Sequence, residues 1–123
     1  MNIDQILCRT FIEVPIFTKR WDEIGLDDSE LLELQLLILK NPEVGPIIQG
    51  TGGLRKVRFP LNNRGKSRSV RVCYYDIEEF GVTFLLTAYT KNEQNNLTDE
   101  QKKILKVLVK QLKKEVSFNS KGE

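Results

Sequence analysis

The chain has 123 residues, of which 40% are apolar and 29% charged, enough for one domain with a single core. Its 19 basic and 17 acidic residues leave a net charge of +2; with no histidine and only two cysteines, histidine-based acid–base chemistry, a histidine-built metal centre and a disulfide framework are excluded. No apolar run approaches the roughly 20 residues of a membrane span, and MNIDQILCRTF lacks the basic, apolar and small-residue pattern of a signal peptide, so a cytoplasmic protein is expected.

In chain order, residues 1–9 read as a loosely held terminus. Thr10–Val14 (TFIEV) predicts a short strand, which Pro15 ends while suiting the first turn of a helix. That helix spans Ile16–Ile24. Phe17, Trp21 and Ile24, spaced by four and three, form one face, and Gly25 terminates it. Asp27–Ser29, with Glu30 in the first turn, open a second helix that stops before Asn41-Pro42. Leu31, Leu32, Leu34, Leu36, Leu37, Ile38 and Leu39 are more than one sheet-facing stripe needs. The excess is either buried between the sheet and the first helix or left as a strip for a protein partner. Asn41–Gly53 is loop. Its Gly50-Thr51-Gly52-Gly53 run allows positive φ and reads as a tight turn feeding Leu54 or as a phosphate cradle, although no helix start follows it.

The segment Gly50–Tyr75 concentrates charge of one sign. It holds seven of the 19 basic residues, Arg55, Lys56, Arg58, Arg64, Lys66, Arg68 and Arg71, and no Asp or Glu occurs from Val44 to Tyr75. Leu54–Phe59 and Val70–Asp76 alternate as strands around the polar loop Pro60–Ser69, giving a basic hairpin. Alternation puts Lys56 and Arg58 on one face, with Val57 and Phe59 turned inward; Arg71, Cys73 and Tyr75 share a face, and Val70, Val72 and Tyr74 the other. Cys73 reads as a small buried hydrophobe. After a turn at Glu78–Gly81, Val82–Tyr89 is the most apolar strand and suits a central place in the sheet. Thr98 and Gln101 fit a capping box for a last helix, with Ile104, Leu105, Leu108, Val109, Leu112 and Val116 as its core stripe. Lys102, Lys103, Lys106, Lys110, Lys113 and Lys114 form a solvated face or extend an electrostatic funnel, and Ser117–Glu123 reads as a frayed tail. The order β-α-α-β-β-β-α predicts an α+β fold: a small twisted, mostly antiparallel sheet with helices on one side and the basic hairpin face open.

Four phrases, FIEVPIFTKRW, NPEVGPIIQGTGGLRKVRF, RGKSRSVRVCYY and LLTAYTKNEQNNLT, occur in that order. Through them residues 10–115 resemble the RelE/ParE toxin superfamily and, within it, the HigB-like RelE toxins. The resemblance implies a RelE-like fold and the toxin of a bacterial toxin–antitoxin module, an endoribonuclease that cuts mRNA in the ribosomal A site without metal or cofactor. It implies as partners the ribosome, mRNA and a cognate antitoxin, often of helix-turn-helix type. DNA is then touched only through the antitoxin, and no membrane is involved. By position, Lys56 and Arg58 would face the mRNA, Arg71 would contact phosphate, and Lys91 would be the basic residue after the last strand. Arg55, Arg64, Lys66 and Arg68 would add RNA contacts. Two departures stand out: Leu97 occupies the place where some members carry a catalytic tyrosine, and GKSRS replaces a GKSGG-type loop.

Metal-free RNA cleavage uses the ribose 2′-hydroxyl as nucleophile. It needs a proton acceptor, cations against the charge developing on phosphate, and a proton donor to the leaving 5′-oxygen. Arg58, Arg71 and Lys91 are the candidate cations. Lys56, set among arginines that favour loss of its proton, is the candidate acid or base. Glu93 is the alternative base, or else a surface acid paired with Lys91. The same fold also accommodates a gyrase-directed toxin or a non-catalytic basic RNA-binding module.

Overall fold

The computed structural model describes residues 9–61 and 68–121. The elements follow the expected order: β1 (Thr10–Glu13), α1 (Pro15–Ile24), α2 (Asp28–Lys40), β2 (Arg55–Leu61), β3 (Arg68–Ile77), a 3-10 turn (Glu78–Phe80), β4 (Val82–Thr90) and α3 (Asp99–Lys121). The architecture is α+β, with one four-stranded sheet in the order β1-β4-β3-β2. β1 pairs parallel with β4, and the other two pairings are antiparallel. The apolar strand β4 therefore has a neighbour on each side, and Thr83 through Leu86, Ala88 and Tyr89 are buried. β2 runs through Pro60 to Leu61, two residues past its predicted end; as an edge strand it tolerates a residue without an N–H.

Each helix start is explained by its sequence. Pro15 occupies the first turn of α1, and Gly25 ends that helix with φ 87°. The Asp27 carboxylate accepts from Glu30 N at 2.9 Å, and Asp27 N donates to Glu30 Oε1 at 3.1 Å, a full capping box for α2. Thr98 and Gln101 make the same reciprocal pair ahead of α3. The leucine-rich face of α2 is divided: Leu34 and Ile38 are buried, whereas Leu32 is 55% and Leu36 50% exposed.

The loop 41–54 is tied to the sheet. Tyr74 Oη accepts from Gly45 N at 3.0 Å and donates to Pro42 O at 2.8 Å, while Lys56 N donates to Pro46 O at 3.1 Å. The buried Thr51 hydroxyl donates to Ile48 O at 2.6 Å and accepts from Leu54 N at 3.2 Å. The glycine run is thus a tight turn feeding β2, and the loop covers part of that strand's edge.

Directly paired strand residues point to the same side of a sheet. One side carries Val57, Phe59, Val70, Val72 and Tyr74. Here α1 stacks, with Trp21 6.1 Å from Phe59 and Phe17 5.3 Å from Trp21 between ring centroids. The other side carries Lys56, Arg58, Ser69, Arg71, Cys73, Thr87 and Tyr89.

Three expectations about α3 are corrected. Not all helices share one side: Leu97 and Leu105 border a hollow of about 160 Å³ with Thr87, on the basic side, and with Ile16 of α1. Val109 of the same helix lies beside Gly52, in the turn feeding β2. The stripe is also narrower than its period suggests, because Leu105 is 5% exposed and its neighbour Ile104 57%. Finally, the helix continues through the expected tail to Lys121, since no glycine or proline interrupts it before Gly122. No described helix is long and apolar enough to cross a membrane.

Candidate nucleic-acid interface

The open part of the basic side is built by register. Arg58 lies directly across from Arg71, and Arg71 directly across from Tyr89. The faces that strand alternation assigned separately therefore coincide. Arg58 Nε donates to Ser69 Oγ at 3.2 Å, and Arg71 Nη1 donates to the same oxygen at 2.5 Å. Two guanidiniums converge on one neutral hydroxyl. Like charges directly opposed across strands repel, and among the described residues neither arginine has a carboxylate partner. The ion pairs found there are Arg9–Asp76, Arg20–Glu23 and Arg20–Glu93. An uncompensated guanidinium fork matches the geometry and charge of a phosphate.

Lys56 stands on the same side, and its Nζ donates to Asn96 Oδ1 at 3.0 Å, next to the start of α3. Between Lys56 and Thr87 lies Cys73, fully buried; burial pushes its thiol up to about 12, against the opposing pull of Lys56, so it is inert as expected. Tyr89 was legible in the sequence only as a strand residue. It is 3% exposed, and its hydroxyl has no hydrogen-bond partner among the described residues. Burial and the neighbouring Cys73 push that hydroxyl up to about 12, with Arg71 pulling the other way. Only the register to Arg71 reveals its place at the site.

Glu93 is a surface acid, but its partner is not the expected Lys91. Its carboxylate accepts from Thr90 N at 2.9 Å and Thr90 Oγ1 at 3.0 Å and pairs with Arg20, not Lys91. The Thr90 backbone hydrogen bond, helped by Arg20, holds it below the ordinary range, which makes it a weaker base. The cause is the turn after β4, where Glu93 N also donates to Thr90 O at 3.1 Å and folds the side chain back on that strand. Arg20, which sequence reasoning missed, ties α1 to β4 through Glu93 and a 3.0 Å hydrogen bond from its Nε to Ala88 O. Nothing local in the sequence signals that contact.

Lys91 is exposed in the same turn and forms no ion pair among the described residues. Arg55 does not join the group. It pairs with Tyr74 on the opposite side, and its Nη1 donates to Gly45 O at 2.8 Å, because one residue of offset along a strand reverses the face. Arg64 and Lys66 lie outside the described residues, and of Arg68 the backbone alone is described, opening β3 opposite Leu61. Leu97 is buried as an apolar residue ahead of α3. No group of three or more acidic or cysteine side chains among the described residues is arranged to hold a metal ion.

No family model matches the chain. Among the solved structures similar to it are three of Escherichia coli RelE. A mutant of the Escherichia coli toxin RelE in the free state shares 18% identity over 72% of this chain and 88% of that one, with a TM-score of 0.49. The isolated E. coli RelE toxin shares 19% over 81% of this chain and 98% of that one, at 0.46. A chain of the intact E. coli RelBE toxin–antitoxin complex shares 21% over 65% of this chain and 93% of that one, at 0.45.

Proposed function

We propose that this chain is the toxin of a toxin–antitoxin module and an endoribonuclease that cuts mRNA on the ribosome. One observation carries the reading: the Arg58–Ser69–Arg71 fork, on an open sheet face, holds two cations with no carboxylate counter-charge among the described residues. The resemblance of residues 10–115 to RelE toxins supplies the reaction class.

In this reading a phosphodiester takes the place of the Ser69 hydroxyl between the two guanidiniums. The ribose 2′-oxygen forms a bond to phosphorus, the bond to the 5′-oxygen breaks, and the products are a 2′,3′-cyclic phosphate and a free 5′-hydroxyl. Arg58 and Arg71 stabilise the extra charge of the pentavalent phosphate. Lys56 moves the proton, leaving the 2′-hydroxyl or reaching the 5′-oxygen, while Lys91 steers the flanking phosphate. Glu93 takes no part. So sparse a set of acids and bases acts best on a substrate already held in line, which is what the A site of a ribosome supplies. A cognate antitoxin of helix-turn-helix type would hold the toxin silent.

The test is to induce the protein and map transcript 5′ ends with and without active ribosomes. Cuts inside translated codons, lost when ribosomes are blocked, are expected. The Arg71→Ala variant should cut about 10²-fold more slowly. Intact transcripts accompanied by DNA-damage signalling would instead identify a gyrase-directed toxin, and intact transcripts bound with steep salt dependence a binding module.

A further inference from the structure

A buried hydroxyl without a partner is uncommon and costs stability, so it calls for a reason. Among the described residues Tyr89 Oη is such a group. A phenylalanine would fill the same space without that cost. The ring lies directly across from Arg71 on the basic side, and the two side chains interact electrostatically. Arg71 meanwhile spends Nη1 on Ser69. A guanidinium carries five N–H donors in a fixed fork, so turning it toward one acceptor re-aims the others.

We propose that Tyr89 is a positioning residue for Arg71: when a phosphodiester oxygen replaces Ser69 as the acceptor, a second Arg71 N–H donates to Tyr89 Oη and fixes the fork against the phosphate. Among the described residues the hydroxyl is unpartnered in the free protein because Arg71 is turned toward Ser69 there. Burial serves this role twice. It keeps the phenol protonated and neutral, so its oxygen accepts from Arg71 without cancelling the charge the phosphate needs. It also keeps water from occupying the acceptor, so the Arg71 bond forms in a medium of low dielectric. This role rests on the ribonuclease reading above.

The test uses ribosomes programmed with a defined mRNA and compares wild type, Tyr89→Phe, Arg71→Lys and the double variant, with thermal unfolding of each. Tyr89→Phe should unfold at the same or a higher temperature than wild type, because the orphan hydroxyl is gone. It should nevertheless cut about tenfold more slowly at saturating ribosomes, with KM unchanged, as expected for one hydrogen bond to a charged group. In the Arg71→Lys background the same change should cost nothing further, since the partner it orients is already lost. Wild-type cleavage by Tyr89→Phe overturns the inference and leaves the ribonuclease reading standing, as does full additivity in the double variant. A lowered unfolding temperature that tracks the lost rate also overturns it, by making the role structural. A wild type that cuts no mRNA removes the ribonuclease reading, and this role with it.

Discussion

The carboxylate of Glu93 accepts two hydrogen bonds from Thr90 and pairs with Arg20, and these contacts favour its charged form. Its folded-state pKa is lowered from 4.5, so the sign is fixed. Above about 4.5 both folded and unfolded states are ionised and the stabilisation is complete. As pH falls toward the folded value the unfolded state takes up its proton first, and the contribution is lost. Because the side chain is 41% exposed, solvent screening limits the effect to under about 1 kcal/mol. Urea midpoints measured against pH should fall more steeply on the acid side for wild type than for Glu93→Gln. That variant should cut mRNA near the wild-type rate while Lys56→Ala does not; the reverse would return Glu93 to the chemistry. Tyr74 makes the opposite case to Tyr89. Both its donor and its acceptor capacity are used, on Pro42 O and Gly45 N, and Tyr74→Phe should cost about 1–3 kcal/mol in chemical denaturation. Two tyrosines of one sheet thus divide into a hydroxyl satisfied by the loop at Pro42 and Gly45 and one left unsatisfied among the described residues.

At the scale of elements, local chemistry carried far. The capping boxes, the stop at Gly25 and the period-two alternation are set by neighbours a few residues away, so helices and strands could be read directly, as could the shared face of Lys56 and Arg58. The remainder depends on contacts distant in sequence. Arg58 meeting Arg71 required a register, and Arg20 meeting Glu93 spans 73 residues. The edge of the α3 stripe is of the same kind. A helical period groups Ile104 with Leu105, but the surface it packs on decides which of them is covered. Leu105→Ala should therefore cost about 2–4 kcal/mol. Ile104→Ala should stay within about 0.5 kcal/mol, as exposed positions do. Paired denaturation curves check this, and equal losses would mean that α3 sits rotated from the orientation described.

For the whole molecule, a net charge of +2 conceals a division of labour. The acids of α1, α2 and the turn after β4 make caps and ion pairs, while among the described residues Lys56, Arg58 and Arg71 of the hairpin form none. Charge concentrated in this way acts on a polyanion through particular phosphates, and each phosphate neutralised on a single strand contributes about 0.7 to the slope of log K against log salt. A short 2′-methoxy RNA, which cannot be cut, allows that slope to be read by fluorescence anisotropy. Arg58→Ala should lower it by about 0.7, the loss of one phosphate contact. Lys110 and Lys114 border a hollow with Ser117 and Phe118 on the far half of α3. Replacing both with glutamine removes twice the charge removed by Arg58→Ala. If RNA responded to the average field, this double change would flatten the slope more than Arg58→Ala does. If the hairpin face alone binds, the slope should stay at the wild-type value, because those lysines are part of a solvated helix face and meet no phosphate.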